Sequence, residues 1–325
     1  MKRIRKILHW ITVIMVGGTC LLLALPYLIP LKPTLDYSEP SLLFPNSIIE
    51  PIEGVNVHYR VFNASPPKKG NVLMIHGFSG STFSWRKNID TLTKAGYQVV
   101  CMDLPSFGFS ERKTDWNHSP ENRAKLAWSI ANKISPNETW HLVGHSMGAS
   151  VILTMGQIQS QKTQSMICVD GLFFNPSSSS WIKFFLNSRY VYRLAEVALQ
   201  RYFLQPERFK KILASAYGQT PDEEAFNGYL KPLTVTDAAK GILSTTNQTS
   251  NFQINYNTLI TKMFLIWGEK DTWISLSSAQ KFKEKYPHVP LMIIKNAGHC
   301  PMETHYQVFN THLLECIEDK NNHSE

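Results

Sequence analysis

The chain has 325 residues, of which 43% are hydrophobic, and carries a formal net charge of +8. This length exceeds that of a peptide-sized module and allows one large buried core. Binding to nucleic acid requires basic residues clustered on one element, whereas those of this chain are scattered, apart from four near the start. We therefore expect no nucleic-acid partner.

The N-terminal region combines a basic cluster with a long apolar run. Lys2, Arg3, Arg5 and Lys6 precede residues 7–31, ILHWITVIMVGGTCLLLALPYLIPL. About 20 predominantly apolar residues suffice for a transmembrane helix, and flanking positive charges favour the cytoplasmic side. Residues 1–31 are therefore predicted to be a single-pass membrane anchor, with the remaining chain on the outer (periplasmic, extracellular or lumenal) side.

Two other interpretations of this region remain open. A signal peptide that is cleaved to release a secreted protein has an apolar core of about 7–15 residues and a small-residue cleavage site; this run is longer, and no convincing site follows it. A lipid-modified Cys20 is the second alternative, but the preceding Gly17-Gly18-Thr19 is a poor match to the Leu-Ala-Gly pattern usual before such cysteines.

Residues 32–51 resemble a linker, because Pro33, Pro40 and Pro45 each fix the backbone and remove an amide donor. The folded domain is predicted to start near Ile52. The five cysteines include Cys101 and Cys168 inside apolar runs, where a thiol is usually a small core residue. A disulfide framework is therefore not expected.

Short apolar runs alternate with helical patterns through the rest of the chain. The runs are at residues 71–77, 97–104, 139–145, 165–171, 262–268 and 291–298, and the helical patterns are at 82–95, 121–134, 147–160, 276–287 and 303–318. Continuous apolar runs indicate strands buried on both faces, whereas the alternating residues 54–62 predict an antiparallel edge strand. The fold class predicted is α/β, a doubly wound and mostly parallel sheet with ligands at the carboxyl ends of its strands.

Nearly 90 residues separate the fourth run from the fifth, where a single crossover helix would suffice. Residues 172–257 are rich in aromatic residues and helix formers, which predicts a helical cap inserted between two parts of the core, 52–171 and 258–318, with a short tail at 319–325. The alternative is a helical excursion packed on the side of the sheet. The cap is favoured because the chain leaves and re-enters at the carboxyl ends of neighbouring strands.

Ser146 lies in Gly144-His145-Ser146-Met147-Gly148, between a buried strand and an apolar helix. This is the strand-turn-helix setting of a nucleophile elbow, in which small residues permit a sharp turn. A serine nucleophile also requires a base and a group that orients the base. Asp271 and His299 follow the last two apolar runs in the expected order. Asp170, at the preceding strand end, is the rival acid.

With these residues the chain resembles capped α/β-hydrolase-fold serine hydrolases, a family that includes monoacylglycerol lipases, carboxylesterases and carbon-carbon bond hydrolases. The resemblance covers residues 52–318 and depends on five motifs: His76-Gly77, Asp103-Leu104-Pro105, Gly144 to Gly148, Gly268 to Asp271 and Gly298-His299. It implies that Ser146 is the nucleophile, His299 the general base and acid, and Asp271 the orienting acid, with the backbone amides of Phe78 and Met147 as the oxyanion hole. One departure is Ser106, where the family's Asp-x-Pro-Gly-x-Gly turn has glycine.

Other polar and aromatic residues receive less direct roles. His145 is interpreted as a neighbour of the elbow, His76 as a residue that shapes the oxyanion loop, and Asp103 as a carboxylate that fixes a loop. Glu269 lies too close to its strand to reach the histidine. Trp85, Trp181 and Trp273 are candidates for lining a substrate pocket or for ordinary packing.

The function predicted is cleavage of a carboxylic ester, with a hydrophobic acyl or lipid ester as the small-molecule substrate because of the aromatic cap and the membrane anchor. A carbon-carbon bond hydrolase or an acyltransferase would use the same triad. A ligand-binding protein without turnover is the alternative from another class. No cluster with metal-ligand spacing and no glycine-rich phosphate loop occurs, so neither a metal nor another cofactor is expected.

Overall fold

The computed structural model describes residues 2–31, 36, 39, 43–171, 173, 188–246, 253–259 and 262–318. Helix α1 (Lys2–Leu28) opens the chain. Among the described residues it is the one helix long and apolar enough to cross a membrane, over Arg3–Leu28 with a mean hydropathy of 2.1, and only 6% of its most apolar window is buried in the protein. Length and composition alone support a membrane span or a signal sequence here.

Eight strands in the described part of the chain form one sheet with the order β1-β2-β4-β3-β5-β6-β7-β8. The strands are β1 (Ser47–Ile52), β2 (Val55–Phe62), β3 (Gly70–Ile75), β4 (Tyr97–Met102), β5 (Trp140–His145), β6 (Thr163–Val169), β7 (Lys262–Gly268) and β8 (Leu291–Ile294). The pairs β1–β2 and β2–β4 are antiparallel, and all other pairs are parallel. The predicted α/β fold is confirmed.

The N-terminal edge of the sheet differs from the prediction. Strand β2 is antiparallel, as expected, but β1 pairs along it and is itself the edge. Strand β1 also begins inside the segment predicted to be a linker. Its sequence SIIEPI contains Pro51, which removes an amide donor and is tolerated on an edge strand because one side of that strand needs no partner.

Helices cover both faces of the sheet. Those of the core are α2 (Ile89–Lys94), α3 (Pro120–Ile134), α4 (Met147–Ile158), α9 (Leu276–Lys285), α10 (Pro301–Thr304) and α11 (Tyr306–Glu318), and those between β6 and β7 are α5 (Arg189–Ala198), α6 (Pro206–Tyr217), α7 (Glu223–Leu230) and α8 (Ala238–Thr246). One apolar cluster includes Trp128 and Ile152 from α3 and α4, and a second includes Leu92 and Phe309 from α2 and α11. Burial on both faces explains the continuous apolar strands.

Four helices therefore occupy the described part of the predicted cap, while Trp181 and the serine run at 177–180 lie outside the described residues. A buried polar cluster joins these helices to the core. Glu303 accepts hydrogen bonds from Tyr217 (2.7 Å), from Tyr229 and from Arg86. Burial raises the pKa of Glu303 above its ordinary value, although Arg86 opposes this effect. The cap is thus attached to α10 by hydrogen bonds as well as by apolar contact.

Candidate active site

The turn at Ser146 is tight and strained. Strand β5 ends at His145, α4 begins at Met147, and Ser146 between them has φ 51° and ψ −115°. A Cβ on Gly144 would lie 2.4 Å from the carbonyl oxygen of Gly148, and one on Gly148 would lie 2.4 Å from the carbonyl oxygen of Ile75. Both glycines are therefore sterically required, and the turn holds the serine at the carboxyl edge of the sheet, as in a nucleophile elbow.

His299 and Asp271 are paired directly. The His299 Nδ1 atom lies 2.7 Å from Asp271 Oδ2, while Asp271 Oδ1 accepts hydrogen bonds from the amides of Trp273 (2.7 Å) and Ile274 (3.0 Å). Burial alone would raise the pKa of Asp271, but the hydrogen bond and charge interaction with His299 lower it below its ordinary value. An ionised Asp271 accepts a hydrogen bond from Nδ1–H, so that Nε2 carries the free lone pair of the imidazole.

His145, the residue before the serine, contacts His299. The Nε2–H group of His145 donates to the backbone carbonyl of His299 over 2.7 Å, and the two imidazole centroids are 4.7 Å apart. Burial and the neighbouring His299 lower the pKa of His145 to about 3, so His145 is neutral at pH 7. Within the described part of the chain the Ser146 hydroxyl makes no direct hydrogen bond, and such bonds often tighten only when substrate is bound.

Of the two predicted oxyanion donors, Met147 begins α4 and Phe78 lies in the loop after β3. Neither the Phe78 amide nor the Met147 amide takes part in a hydrogen bond with other described residues. His76 fixes this loop, since its Nδ1 donates to the Gly77 carbonyl (2.6 Å) and its Nε2 accepts from the Leu104 amide (3.0 Å). Burial lowers the pKa of His76, which keeps the imidazole neutral and able to make both bonds.

Asp103 fixes the neighbouring loop. Its carboxylate accepts hydrogen bonds from the amides of Thr82 (2.6 Å) and Phe109 (2.7 Å) and lies 2.6 Å from His58 Nδ1. Burial opposes ionisation, but the interactions with His58 lower the pKa of Asp103 below its ordinary value. Ser106, the departure from the family turn, has φ 72°, a left-handed conformation that favours glycine. The turn thus keeps its shape with a strained serine.

Asp170, the rival acid, makes no hydrogen bond with His299. It is fully buried with φ 44°, its Oδ1 atom accepts from the Gly268 amide (2.9 Å), and its Oδ2 atom has no partner among the described residues. Burial and the adjacent Asp271 raise the pKa of Asp170 well above its ordinary value. Asp170, Asp271 and His299 also form a cluster of potential metal ligands whose atoms lie within 4.8 Å of one another, and in it His299 Nδ1 is hydrogen-bonded to Asp271 Oδ2.

The three tryptophans named from the sequence differ in position. Trp85 is fully buried in the second apolar cluster, whereas Trp273 is half exposed and stacks on His299 with ring centroids 5.4 Å apart. Trp181 lies outside the described residues. Glu269 is exposed and accepts from the Asn296 amide, away from His299.

Arg123 was missed by sequence reasoning. This α3 side chain is buried, its guanidinium carbon lies 5.8 Å from the centre of the Phe107 ring, and its Nη1 atom lies 2.9 Å from Met147 Sδ. No local pattern marks an arginine on an amphipathic helix as buried, so only the packing of α3 against α4 reveals it.

A comparison with protein families agrees with three features of the structure: the elbow, the pairing of His299 with Asp271, and the order of the strands. A family model described as the alpha/beta hydrolase fold matches residues 70–306. The chain belongs to this family. It is a hydrolase whose relatives act on more than one kind of bond.

Three proteins are similar to this chain over most of its length. An uncharacterized hydrolase of Bacillus subtilis, YugF, is 24% identical over 82% of this chain and 96% of its own length. A 2-hydroxy-6-oxononadienedioate/2-hydroxy-6-oxononatrienedioate hydrolase of Pseudomonas putida is 22% identical over 81% of this chain and 92% of its own. The crystal structure of a membrane phospholipase A superposes with a TM-score of 0.68 at 20% identity, covering 98% of this chain and 99% of that one.

Proposed function

We propose that this family member is a serine hydrolase that cleaves a carboxylic ester, with Ser146 as nucleophile, His299 as general base and acid, and Asp271 as the orienting acid. The observation that carries the proposal is the 2.7 Å contact between His299 Nδ1 and Asp271 Oδ2, beside a serine at a strained elbow. A histidine that donates its Nδ1–H to a carboxylate presents a basic Nε2 atom to a nucleophile.

In the acylation step, the Ser146 hydroxyl attacks the ester carbonyl while His299 Nε2 takes its proton. The carbonyl oxygen becomes an oxyanion, and we assign its stabilisation to the Phe78 and Met147 amides, because neither amide is engaged elsewhere in the described chain. His299 then gives the proton to the departing alcohol oxygen, and an acyl-enzyme forms. Asp271, held by two backbone amides, stabilises the imidazolium while it exists.

In the deacylation step, His299 Nε2 takes a proton from water, and the resulting hydroxide attacks the acyl carbonyl. Collapse of the second tetrahedral intermediate returns the proton to Ser146 and releases the carboxylic acid. Water supplies both the hydroxide and the proton, so the two steps balance without a redox partner or a bound metal.

We further propose a hydrophobic acyl or lipid ester as the substrate class and membrane attachment through α1. Two observations support this: α1 is an apolar helix of sufficient length, and the side chains of Phe78 and Trp273 are half exposed beside the reacting groups. The basic residues in the first turns of α1 favour an orientation with the N-terminus in the cytoplasm and the catalytic domain on the outer side.

A carbon-carbon bond hydrolase is the second candidate. The specific observation in its favour is the similarity to the hydrolase of Pseudomonas putida, which extends over most of both chains. Such a reaction would use the same serine, histidine and aspartate, with a carbon leaving group protonated in place of an alkoxide. The fold alone does not decide between the two reactions.

The test uses the full-length protein in detergent and a fluorophosphonate probe that reacts with activated serines. The wild type should be labelled, Ser146→Ala should not, and the matched variant Ser150→Ala, which loses a hydroxyl on the next turn of α4, should be labelled like the wild type. Hydrolysis of nitrophenyl esters of increasing acyl length, compared with turnover of a 2-hydroxy-6-oxo dienedioate, separates the two reactions. A folded wild type that neither labels nor hydrolyses any ester would favour a ligand-binding protein.

A further inference from the structure

The carboxyl end of α1 is bound to the cap. Arg193 on α5 donates from Nε to the carbonyl of Pro26 (3.2 Å), and Arg201 donates from Nε to the carbonyl of Pro30 (2.9 Å). Tyr190 donates to the carbonyl of Leu22 over 3.1 Å. The last carbonyls of a helix lack partners within it, and cations near this end are favourable. The cap therefore holds the very end of the helix that is long enough to span a membrane.

The same cap elements expose an apolar surface, which we call the apolar cap face and define as Leu194, Ala198, Tyr202, Phe203 and Ile212. Leu194, Ala198 and Tyr202 are spaced by four residues along α5 and the helical turn that follows it, so they lie on one side. Leu194, Tyr202, Phe203 and Ile212 are 46%, 47%, 47% and 37% exposed.

Helix α6 extends this face. The guanidinium carbon of Arg208 lies 3.3 Å from the centre of the Tyr202 ring, and Ile212 follows one turn later on α6. Arg201, Arg208 and Lys211 are exposed around these apolar side chains. Aromatic and aliphatic side chains surrounded by Arg and Lys are typical of protein surfaces that enter the headgroup layer of a membrane.

We propose that the apolar cap face is seated in the interfacial layer of the membrane that α1 enters, with anionic lipid as its partner. The inference rests on the membrane attachment in the proposed function. The face is continuous with the exit point of α1, because Arg201 both contacts Pro30 and precedes Tyr202, and its cations complement anionic headgroups. The cap is thereby fixed against the bilayer, and the active site below it takes its ester from the lipid phase.

The experiment uses the full-length chain, with Cys20→Ser to remove the exposed thiol; the other four cysteines are buried. An environment-sensitive fluorophore is attached to Phe203→Cys, and the protein is reconstituted in vesicles of three parts phosphatidylcholine to one part phosphatidylglycerol. The matched control is Val308→Cys, which replaces an equally exposed apolar residue (48%) on α11. Lipids that carry a doxyl quencher near the headgroup should quench the label at 203 at least about twofold more than the label at 308.

Equal quenching of the labels at positions 203 and 308 would overturn the proposal. So would a label at position 203 that is shielded from water only when the protein dimerises or binds another protein. Phe203→Asp provides a second measurement: hydrolysis of a long-chain ester in the vesicles should fall, while hydrolysis of soluble nitrophenyl butyrate should not change. Quenching requires no turnover. Strong quenching at 203 in a protein without esterase activity would therefore contradict the proposed ester cleavage and leave the seating of the apolar cap face in the membrane intact.

Discussion

The carboxyl ends of β6 and β7 each carry a buried aspartate beside His299, and the two acids differ in what surrounds them. Asp271 receives two backbone amides and the His299 ring, which together lower its pKa in spite of burial. Asp170 receives one backbone amide and faces Asp271, so that its pKa is raised. The pKa values of two carboxyl groups of the same type are thus shifted in opposite directions. The surroundings of an acid, and not its place at a strand end, decide the direction of its pKa shift.

Replacing Asp271 with Asn removes the carboxylate that contacts His299 and should have the largest effect of the changes considered. The amide cannot orient the correct tautomer of His299 or stabilise the imidazolium, so kcat for a nitrophenyl ester should fall by about 10⁴-fold. Steady-state kinetics measures the loss, and circular dichroism checks that the variant is folded. A loss of less than about tenfold would move the orienting role away from Asp271.

Glu303 provides a buried acid that, unlike Asp170, has a cationic partner. Glu303→Ala leaves Arg86 without its buried partner, so the free energy of unfolding should fall by about 3–5 kcal/mol. The matched control is Glu224→Ala, which removes the other, exposed carboxylate that contacts Arg86 and should cost less than about 1 kcal/mol. Equal losses in urea denaturation would show that burial of the pair contributes nothing.

Replacing Asp170 with Asn should affect activity far less than the change at Asp271. Asparagine resembles the protonated acid and can still accept from the Gly268 amide, so kcat should stay within about tenfold of the wild type. A loss as large as that of Asp271→Asn would mean that Asp170 is the orienting acid and would reverse the assignment.

Asp170→Asn should also change how the stability of the protein depends on pH. A pKa that is raised in the folded state adds stability below the unfolded pKa, about 4 for aspartate, and this stability is lost as pH rises toward the folded pKa. The asparagine side chain in the variant does not ionise. The stability of Asp170→Asn relative to the wild type should therefore increase with pH above about 4. Denaturation of the variant and the wild type at a series of pH values measures this difference.

Ser106→Gly should have the smallest effect. Glycine adopts a φ of 72° without the steric penalty that serine suffers, so the folded state should be stabilised by about 1 kcal/mol, partly offset by the greater freedom of glycine in the unfolded chain. Thermal unfolding measures the change. A clear destabilisation would show that the contact of the Ser106 hydroxyl with His118 outweighs the strain.

Much of the fold could be predicted from the sequence because the signals are local. The continuous apolar runs depend on burial of both faces of a parallel sheet, and each became a strand of the central sheet. Strand β1 was missed because Pro33, Pro40 and Pro45 predicted a linker up to residue 51, whereas an edge strand, which tolerates Pro51, begins at Ser47. Part of the candidate site could be predicted for the same reason. The five residues around Ser146 include Gly144 and Gly148, and a larger side chain at either position would clash with the backbone of the turn.

The sequence by itself determined the order of the elements, the elbow at Ser146 and the presence of acids at two neighbouring strand ends. Only the tertiary structure decided that Asp271, 28 residues from His299, makes the hydrogen bond, that Arg86 meets Glu303 217 residues away, and that Arg201 meets Pro30 171 residues away. Local patterns reflect backbone geometry and burial within one element. Charge states and long-range contacts depend on which groups the folded chain packs together, and no single segment contains that information.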